Sequence, residues 1–300
     1  MNQIYLKMKK YILSALTIIT ILSACTEEIK VTLPNSDKKI VIEGTIENGK
    51  FAQVIITRTI PLFSSVSGTS PSDFYVLDAR VYVSNGIITD TLTLTIDSSS
   101  AIGVVYQGSS IIGIAGQNYS LKVVAADGEV YTATTAIPYP IPLDSVWWEP
   151  APPHDTLGYA NASLTDPVGL GNNYRWMTKR PTKDRRFIAQ NGSTFDDKLI
   201  DGKSFDFAYT KGYDPTDNVN SLENDSDEER YYFRKTDTIY IKFCTLDRAS
   251  KDFYTTFESA LASNGNPFAS PTTILGNINN GALGVWAGMG ATYDTIMPTP

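Results

Sequence analysis

Gly116-Gln117-Asn118-Tyr119-Ser120-Leu121-Lys122-Val123-Val124-Ala125-Ala126-Asp127-Gly128-Glu129-Val130-Tyr131-Thr132-Ala133-Thr134-Thr135 reads as two strands joined by a tight turn. Asp127-Gly128 is a two-residue hairpin signal, because both residue types tolerate the positive φ of a type I′ turn. Leu121 and Val123 alternate with polar neighbours, as a half-buried strand requires. Tyr119 opens its strand just after a Gly-containing turn. That is the tyrosine-corner position of an immunoglobulin-like sandwich.

The same turn chemistry recurs upstream at Asn48-Gly49 and Asn85-Gly86. The three turns join residues 39–47 to 50–59, 79–84 to 87–95 and 119–126 to 129–135, and residues 102–106 can add a seventh strand. Thr, Val, Ile and Tyr dominate, and Leu92, Leu94 and Ile96 alternate. The pattern predicts an immunoglobulin-like β-sandwich over residues 39–140. Residues 60–78 form a long Ser/Gly/Pro loop carrying Phe63, Phe74 and Tyr75. Loops of this length are functional or disordered. Its aromatics either contact a ligand or partner or pin the loop to the domain.

Pro138, Pro140 and Pro142 fall at every second place, a stiff extended connector and a domain boundary. Beyond it, residues 143–148, 162–165, 174–179, 206–209 and 238–244 read as strands. A helix is expected near 248–263. Ala249, Phe253, Phe257, Ala260 and Leu261 recur at helical spacing, Asp247 can cap its start and Gly265 can end it. The expectation for 141–300 is a β-rich domain with one packed helix. The Gly- and Asn-rich stretch 264–288 reads as a rigid closure of that domain, held by Phe268, Ile278, Val285 and Trp286. Its alternative is a loop facing a ligand or receptor, with Trp286 as the interface anchor.

The chain begins with signal-peptide anatomy. Lys7, Lys9 and Lys10 precede a short apolar run at 11–22, which ends in Leu22-Ser23-Ala24-Cys25. The run is far shorter than the roughly 20 residues a spanning helix needs. The four residues read as a lipobox, with cleavage between Ala24 and Cys25 and lipid on the Cys25 sulfur. Residues 1–24 are then a lipoprotein signal, and 25–38 a flexible acidic tether opening with Thr26, Glu27 and Glu28. The acidic pair resembles an export signal to the outer face of an outer membrane.

Composition narrows the function. Residues 1–24 hold three Lys and no acid, so 22 basic and 32 acidic residues remain, a net charge of −10. That balance argues against nucleic acid and against electrostatic adsorption to anionic lipid. Cys244 has no intramolecular partner once Cys25 carries lipid, and its strand-like surroundings point to a buried, inert thiol. His154 is the single histidine, set among prolines, so zinc built on several histidines is excluded by count. No nucleophile elbow, phosphate loop or GxGxxG motif occurs, and no cofactor is expected. The acids of 214–229 could hold calcium, but their spacing fits no EF-hand and a solvated loop is the simpler reading.

Four stretches carry a family resemblance. They are Ile40-Val41-Ile42-Glu43-Gly44-Thr45-Ile46, Asp196-Asp197-Lys198-Leu199-Ile200-Asp201-Gly202, Asn264 to Pro271, and Gly276-Asn277-Ile278-Asn279-Asn280-Gly281-Ala282-Leu283-Gly284-Val285-Trp286. In this order after a lipobox they resemble domain-of-unknown-function family 4249, lipoproteins of Bacteroidota. The resemblance implies a neighbouring TonB-dependent outer-membrane receptor as partner and brings no catalytic residues. The expected function is a non-enzymatic, lipid-anchored outer-membrane surface protein, accessory to such a receptor. An adhesive or structural surface protein is the alternative, and a hydrolase using paired carboxylates is the third reading.

Overall fold

The Asn-Gly and Asp-Gly turns form as their chemistry dictates. Gly49, Gly86 and Gly128 take φ of +77°, +86° and +92°, where a Cβ is disfavoured. The Asn85 carboxamide oxygen accepts the N–H groups of Ile87 and Ile88, both at 3.0 Å. The computed structural model describes residues 38–60, 74–97, 103–190, 192–212, 231–263, 270 and 272–297. In it the turns join β1 (Ile40–Glu47) to β2 (Phe51–Arg58), β3 (Arg80–Ser84) to β4 (Thr89–Ile96), and β6 (Asn118–Val124) to β7 (Val130–Ala136). β5 (Val104–Ile112) is longer than the five residues expected for it. The Tyr119 hydroxyl accepts the N–H of Ile114 at 2.8 Å, the bond a tyrosine corner makes.

β4 departs from simple alternation. It pairs with β3 through Leu92 and with β5 from Thr93 onward, so it links the two groups of strands into one path. Leu92 is buried, but Leu94 and Ile96 lie on the far side of this switch and face solvent. The inner position two residues before Leu92 is Asp90, buried and accepting the N–H groups of Ser109, Ser110 and Ile111 at 2.9, 2.8 and 3.2 Å. Burial raises this carboxyl, but the three backbone donors outweigh it and hold it below the usual range.

The C-terminal half contributes β8 (Ser145–Pro150), β9 (Leu157–Thr165), β10 (Asn173–Lys179), β11 (Thr194–Asp196), β12 (Ser204–Tyr209), β13 (Phe233–Arg234) and β14 (Ile239–Leu246). Helix α1 (Arg248–Ser263) and β15 (Leu283–Ile296) follow. The fold is mainly β with one helix among the described residues. The large sheet runs β11-β10-β14-β15-β1-β2-β5-β4-β3-β6-β7, and β12, β9, β13 and β8 form a smaller one.

The last strand, β15, holds the sheet together. It runs parallel to β1, with Val41 opposite Leu283 and Gly44 opposite Trp286, and antiparallel to β14. The large sheet therefore takes strands from both sides of residue 140. Trp286 enters the apolar core between β1 to β7; Val285, Ala287 and Met289 face the helix; and Ile296 joins a third cluster with Trp176, Phe233 and Phe243. Its glycines permit close crossing. A Cβ on Gly288 would sit 2.0 Å from the Ala136 oxygen, and one on Gly290 would sit 2.3 Å from that of Pro138. The proline connector thus lies directly on β15.

The helix spans the expected residues, but its buried face is Ser250, Phe253, Tyr254 and Glu258. Ala249, Phe257 and Leu261 of the expected stripe are exposed. The inner face includes polar side chains because Glu258 accepts from the Ser193 and Thr194 hydroxyls at 2.7 and 3.0 Å. Asp247 caps the helix as expected, accepting the Ser250 N–H at 2.8 Å. Its other oxygen accepts from the Thr135 hydroxyl and the Ala136 N–H at 2.6 and 3.2 Å, which ties the cap to β7. Asp247→Ala removes the cap and strands two further donors. We expect a loss of about 2 kcal/mol in urea unfolding, with faster amide exchange in the first helical turn. A loss below about 0.5 kcal/mol would show that the cap is not structural.

Candidate functional site

The residues marked in the sequence do not converge. Ala24, Cys25, Phe63 and the acids of 214–229 lie outside the described residues. Phe74 and Tyr75 are half-buried and pinned: Tyr75 bridges to Thr57, and the Val76 N–H donates to the Ile56 oxygen at 3.0 Å. The Tyr106 hydroxyl donates to the Val76 oxygen at 2.9 Å. Trp286 is a correction. It is 0% exposed, with its indole N–H donating to the Tyr119 oxygen at 3.1 Å, so it cannot anchor an external partner. The strand placing it is central and covered on both faces, which buries an indole that an open loop would have presented. Cys244 is buried, and burial pushes its thiol up to about 11, so it stays protonated at neutral pH. His154 packs near the Tyr232 ring at 5.9 Å.

Two surface features stand out instead. The first is a pair of loops laced by carboxylates. Asp197 is buried and accepts the N–H groups of Gly171 and Asn172 at 2.8 and 2.7 Å. Asp201 accepts that of Gly169 at 2.6 Å, and Asp166 that of Gly202 at 3.2 Å. The Tyr174 hydroxyl also donates to Asp166. These braced loops hold Val168, Leu170 and Leu199 at 90%, 69% and 85% exposure. Apolar side chains kept in water on rigid backbone suit contact with another macromolecule.

The second is a cleft of about 540 Å³, a size typical of small-ligand sites. The β1–β2 turn supplies Glu47, Lys50 and Phe51; the end of β10 and the segment after it supply Lys179, Arg185, Arg186 and Phe187; β14 and β15 supply Lys242 and Tyr293. Among the described residues of the lining, Glu47 is the only carboxylate and five side chains are cationic. Lys242 and Lys50 approach it at 2.6 and 2.9 Å, and the Tyr293 hydroxyl donates to it. Burial raises the Glu47 carboxyl, but Lys242, Tyr293 and Lys50 more than reverse this and hold it below its ordinary value. Lys50 also lies over the Tyr293 ring at 4.4 Å, and Phe187 meets that ring edge-on at 5.8 Å. The arrangement sets basic side chains beside an aromatic wall. A sequence signal for it exists: five of the eight residues from Lys179 to Arg186 are cationic in an otherwise acidic chain.

Residues 26–294 match a protein family described as Domain of unknown function (DUF4249). The chain belongs to that family. The match begins at the residue after Cys25 and runs into β15. Three stretches of DUF4249 resemblance now have structural roles. Residues 40–46 are β1, residues 276–286 lead into β15 beside it, and residues 196–202 form one of the laced loops. The fourth, 264–271, lies outside the described residues apart from Ser270. The asparagines of this DUF4249 chain act as clamps. Asn277 exchanges side-chain hydrogen bonds with both backbone groups of Trp286 at 2.8 Å, and the Asn279 side chain accepts the Thr132 N–H of β7 at 2.7 Å and donates to the Thr132 hydroxyl at 2.6 Å. No curated protein matches the DUF4249 chain.

Proposed function

We propose that this protein is anchored by lipid on Cys25 in an outer membrane, faces the cell exterior, and serves without catalysis as an accessory to a TonB-dependent receptor in nutrient capture. The lipobox and the acidic residues after it support the location. One acyl chain would bind a membrane only marginally, so stable attachment requires the multiply acylated cysteine a lipobox specifies. The observation that carries the partner is the exposed trio of Val168, Leu170 and Leu199, held on loops fixed by Asp166, Asp197 and Asp201. Such a knob can enter a hydrophobic depression without ordering itself on binding.

Deletion of the gene should lower receptor abundance or the uptake of one nutrient class, and the wild-type gene should restore it. Cys25→Ser should release the protein from the membrane fraction and restore nothing. Unchanged receptor level with unchanged uptake of every tested nutrient would overturn the proposal.

A further inference from the structure

We propose that the outer edge of β12 receives an extended segment of a partner protein, which adds a strand to the smaller sheet and lays alternate apolar side chains over Phe205 and Phe207. This rests on the reading of the protein as an accessory that docks through Val168, Leu170 and Leu199, and names what the partner supplies beside that knob.

Backbone register is the first argument. Among the described residues β12 pairs with β9 alone. The Asp166 N–H donates to the Lys203 oxygen at 3.0 Å, which sets the alternation of the antiparallel ladder. Phe205, Phe207 and Tyr209 therefore bond to Leu164, Ala162 and Ala160, while Ser204, Asp206 and Ala208 turn their N–H and C=O groups away from β9. All three are exposed. An extended peptide offers donors and acceptors at that spacing.

The treatment of the other edges is the second. β7 closes one end of the large sheet, and asparagines cover it. The Asn279 side chain accepts the Thr132 N–H at 2.7 Å, and the Asn279 N–H donates to the Thr132 oxygen at 3.0 Å. Asn280 and Asn277 donate to the Val130 and Thr134 oxygens at 3.1 and 3.4 Å. β11, at the opposite end, has three residues, and β8 ends on Pro150. Covers, short strands and prolines are ordinary protections of a sheet edge. β12 has six residues, without lysine or proline, and no hydrogen bond from the described residues reaches its outward backbone groups.

Position is the third. The loop carrying Leu199 runs directly into β12, and the loop carrying Val168 leaves β9 beside it. A Cβ on Gly202 would lie 2.9 Å from the Val168 Cγ2, so the knob stands at the start of the open edge. Phe205 and Phe207 face the core beside Phe195, with ring centroids 6.2 and 5.8 Å from it, yet both are only half-buried. An added strand with apolar residues at alternate places would bury them further. Asp206 lies on the opposite face and favours a cation on the neighbouring strand.

The test is amide exchange, read by mass spectrometry, of the full lipoprotein in neutral detergent. The probe is the synthetic peptide Lys-Val-Thr-Val-Lys-Val. Its controls carry Glu for both Lys, or Pro for the central Thr. The lysine peptide should slow exchange in the segment 204–209, the glutamate peptide should bind a few fold more weakly, and the proline peptide should protect nothing. Ala208→Pro removes only an outward N–H. It should weaken the lysine peptide about tenfold and leave the melting temperature within a few degrees of wild type. Phe207→Pro breaks the ladder to β9 and should lower that temperature far more. If Ala208→Pro misfolds, Asp206→Lys, on an exposed side chain, should reverse the preference between the lysine and glutamate peptides. Unchanged exchange with both charged peptides would overturn the proposal, as would equal protection by the proline peptide. So would protection that rises with protein concentration when no peptide is present, which would make the edge an interface between two copies of this chain. No receptor takes part, so failure here is separate from failure of the accessory reading.

Discussion

Trp286→Ala should destabilise the protein by about 3–5 kcal/mol, the range for removing a large buried aromatic. The indole is fully buried among residues of β1 to β7, although it belongs to the last strand of the chain. It occupies space that β1 leaves open: a Cβ on Gly44, its register partner, would meet the indole Cε3 at 2.7 Å. Its indole N–H would be lost from the Tyr119 oxygen, leaving that buried acceptor short of a partner. Equilibrium urea unfolding measures the effect. The pairing also makes a reciprocal prediction. Gly44→Ala should be strongly destabilising alone and nearly neutral when added to Trp286→Ala, because the ring it collides with is gone. Strict additivity, or a loss below about 1 kcal/mol for Trp286→Ala, would show that the ring does not pack against Gly44.

Glu47→Ala is the second substitution with a large consequence, about 3 kcal/mol at neutral pH. Removing one member of a buried ion pair leaves the other charge unpaired, at a penalty of about 3–5 kcal/mol for full burial. Lys242 keeps 13% side-chain exposure, which places the expected loss at the lower end. Glu47→Gln should lose less, since an amide can still accept from Tyr293 and Lys242. The pH dependence has a definite sign. The native carboxyl titrates below its ordinary value of 4.5, so its pairing stabilises the fold fully above that pH. That contribution disappears as pH falls through the native value. Wild type and Glu47→Ala should therefore converge in acid and differ most near neutrality. A gap that stays constant from neutral pH into acid would mean that the carboxylate charge is not what stabilises this corner.

The turns, the seven-strand succession, the Tyr119 corner and the Asp247 cap were legible because each depends on residues close in sequence. Asn-Gly and Asp-Gly encode their own φ, and a helix cap needs its oxygen only three residues from the N–H it accepts. β15 was not legible in the same way. Gly284, Gly288 and Gly290 lower strand propensity, and they are required by crossings with Ile42, Ala136 and Pro138, more than a hundred residues away. A strand buried on both faces also shows no alternation. The same blindness misplaced Trp286, whose surroundings come from the other end of the chain. Leu94 and Ile96 kept a strand's alternation but not its burial, because the exchange of partners at Leu92 is a property of the sheet. The cleft escaped notice because its cations come from distant segments. Only the basic run from Lys179 to Arg186 marks it locally, and such a run ordinarily reads as a solvated loop.

The laced loops make the partner reading concrete. Asp197 and Asp201, within one stretch of family resemblance, spend their oxygens on the backbone of 169–172, which leaves Leu199 outside with Val168 and Leu170.

Affinity purification of the tagged, lipid-anchored protein from gently solubilised outer membranes, followed by mass spectrometry, decides between an accessory and an independent surface protein. We expect a large barrel receptor in near-equal amount, lost when Val168 and Leu199 are both replaced by Asp. Recovery of the lipoprotein alone, at good yield and with its lipid intact, would contradict the accessory function and favour an adhesive or structural role.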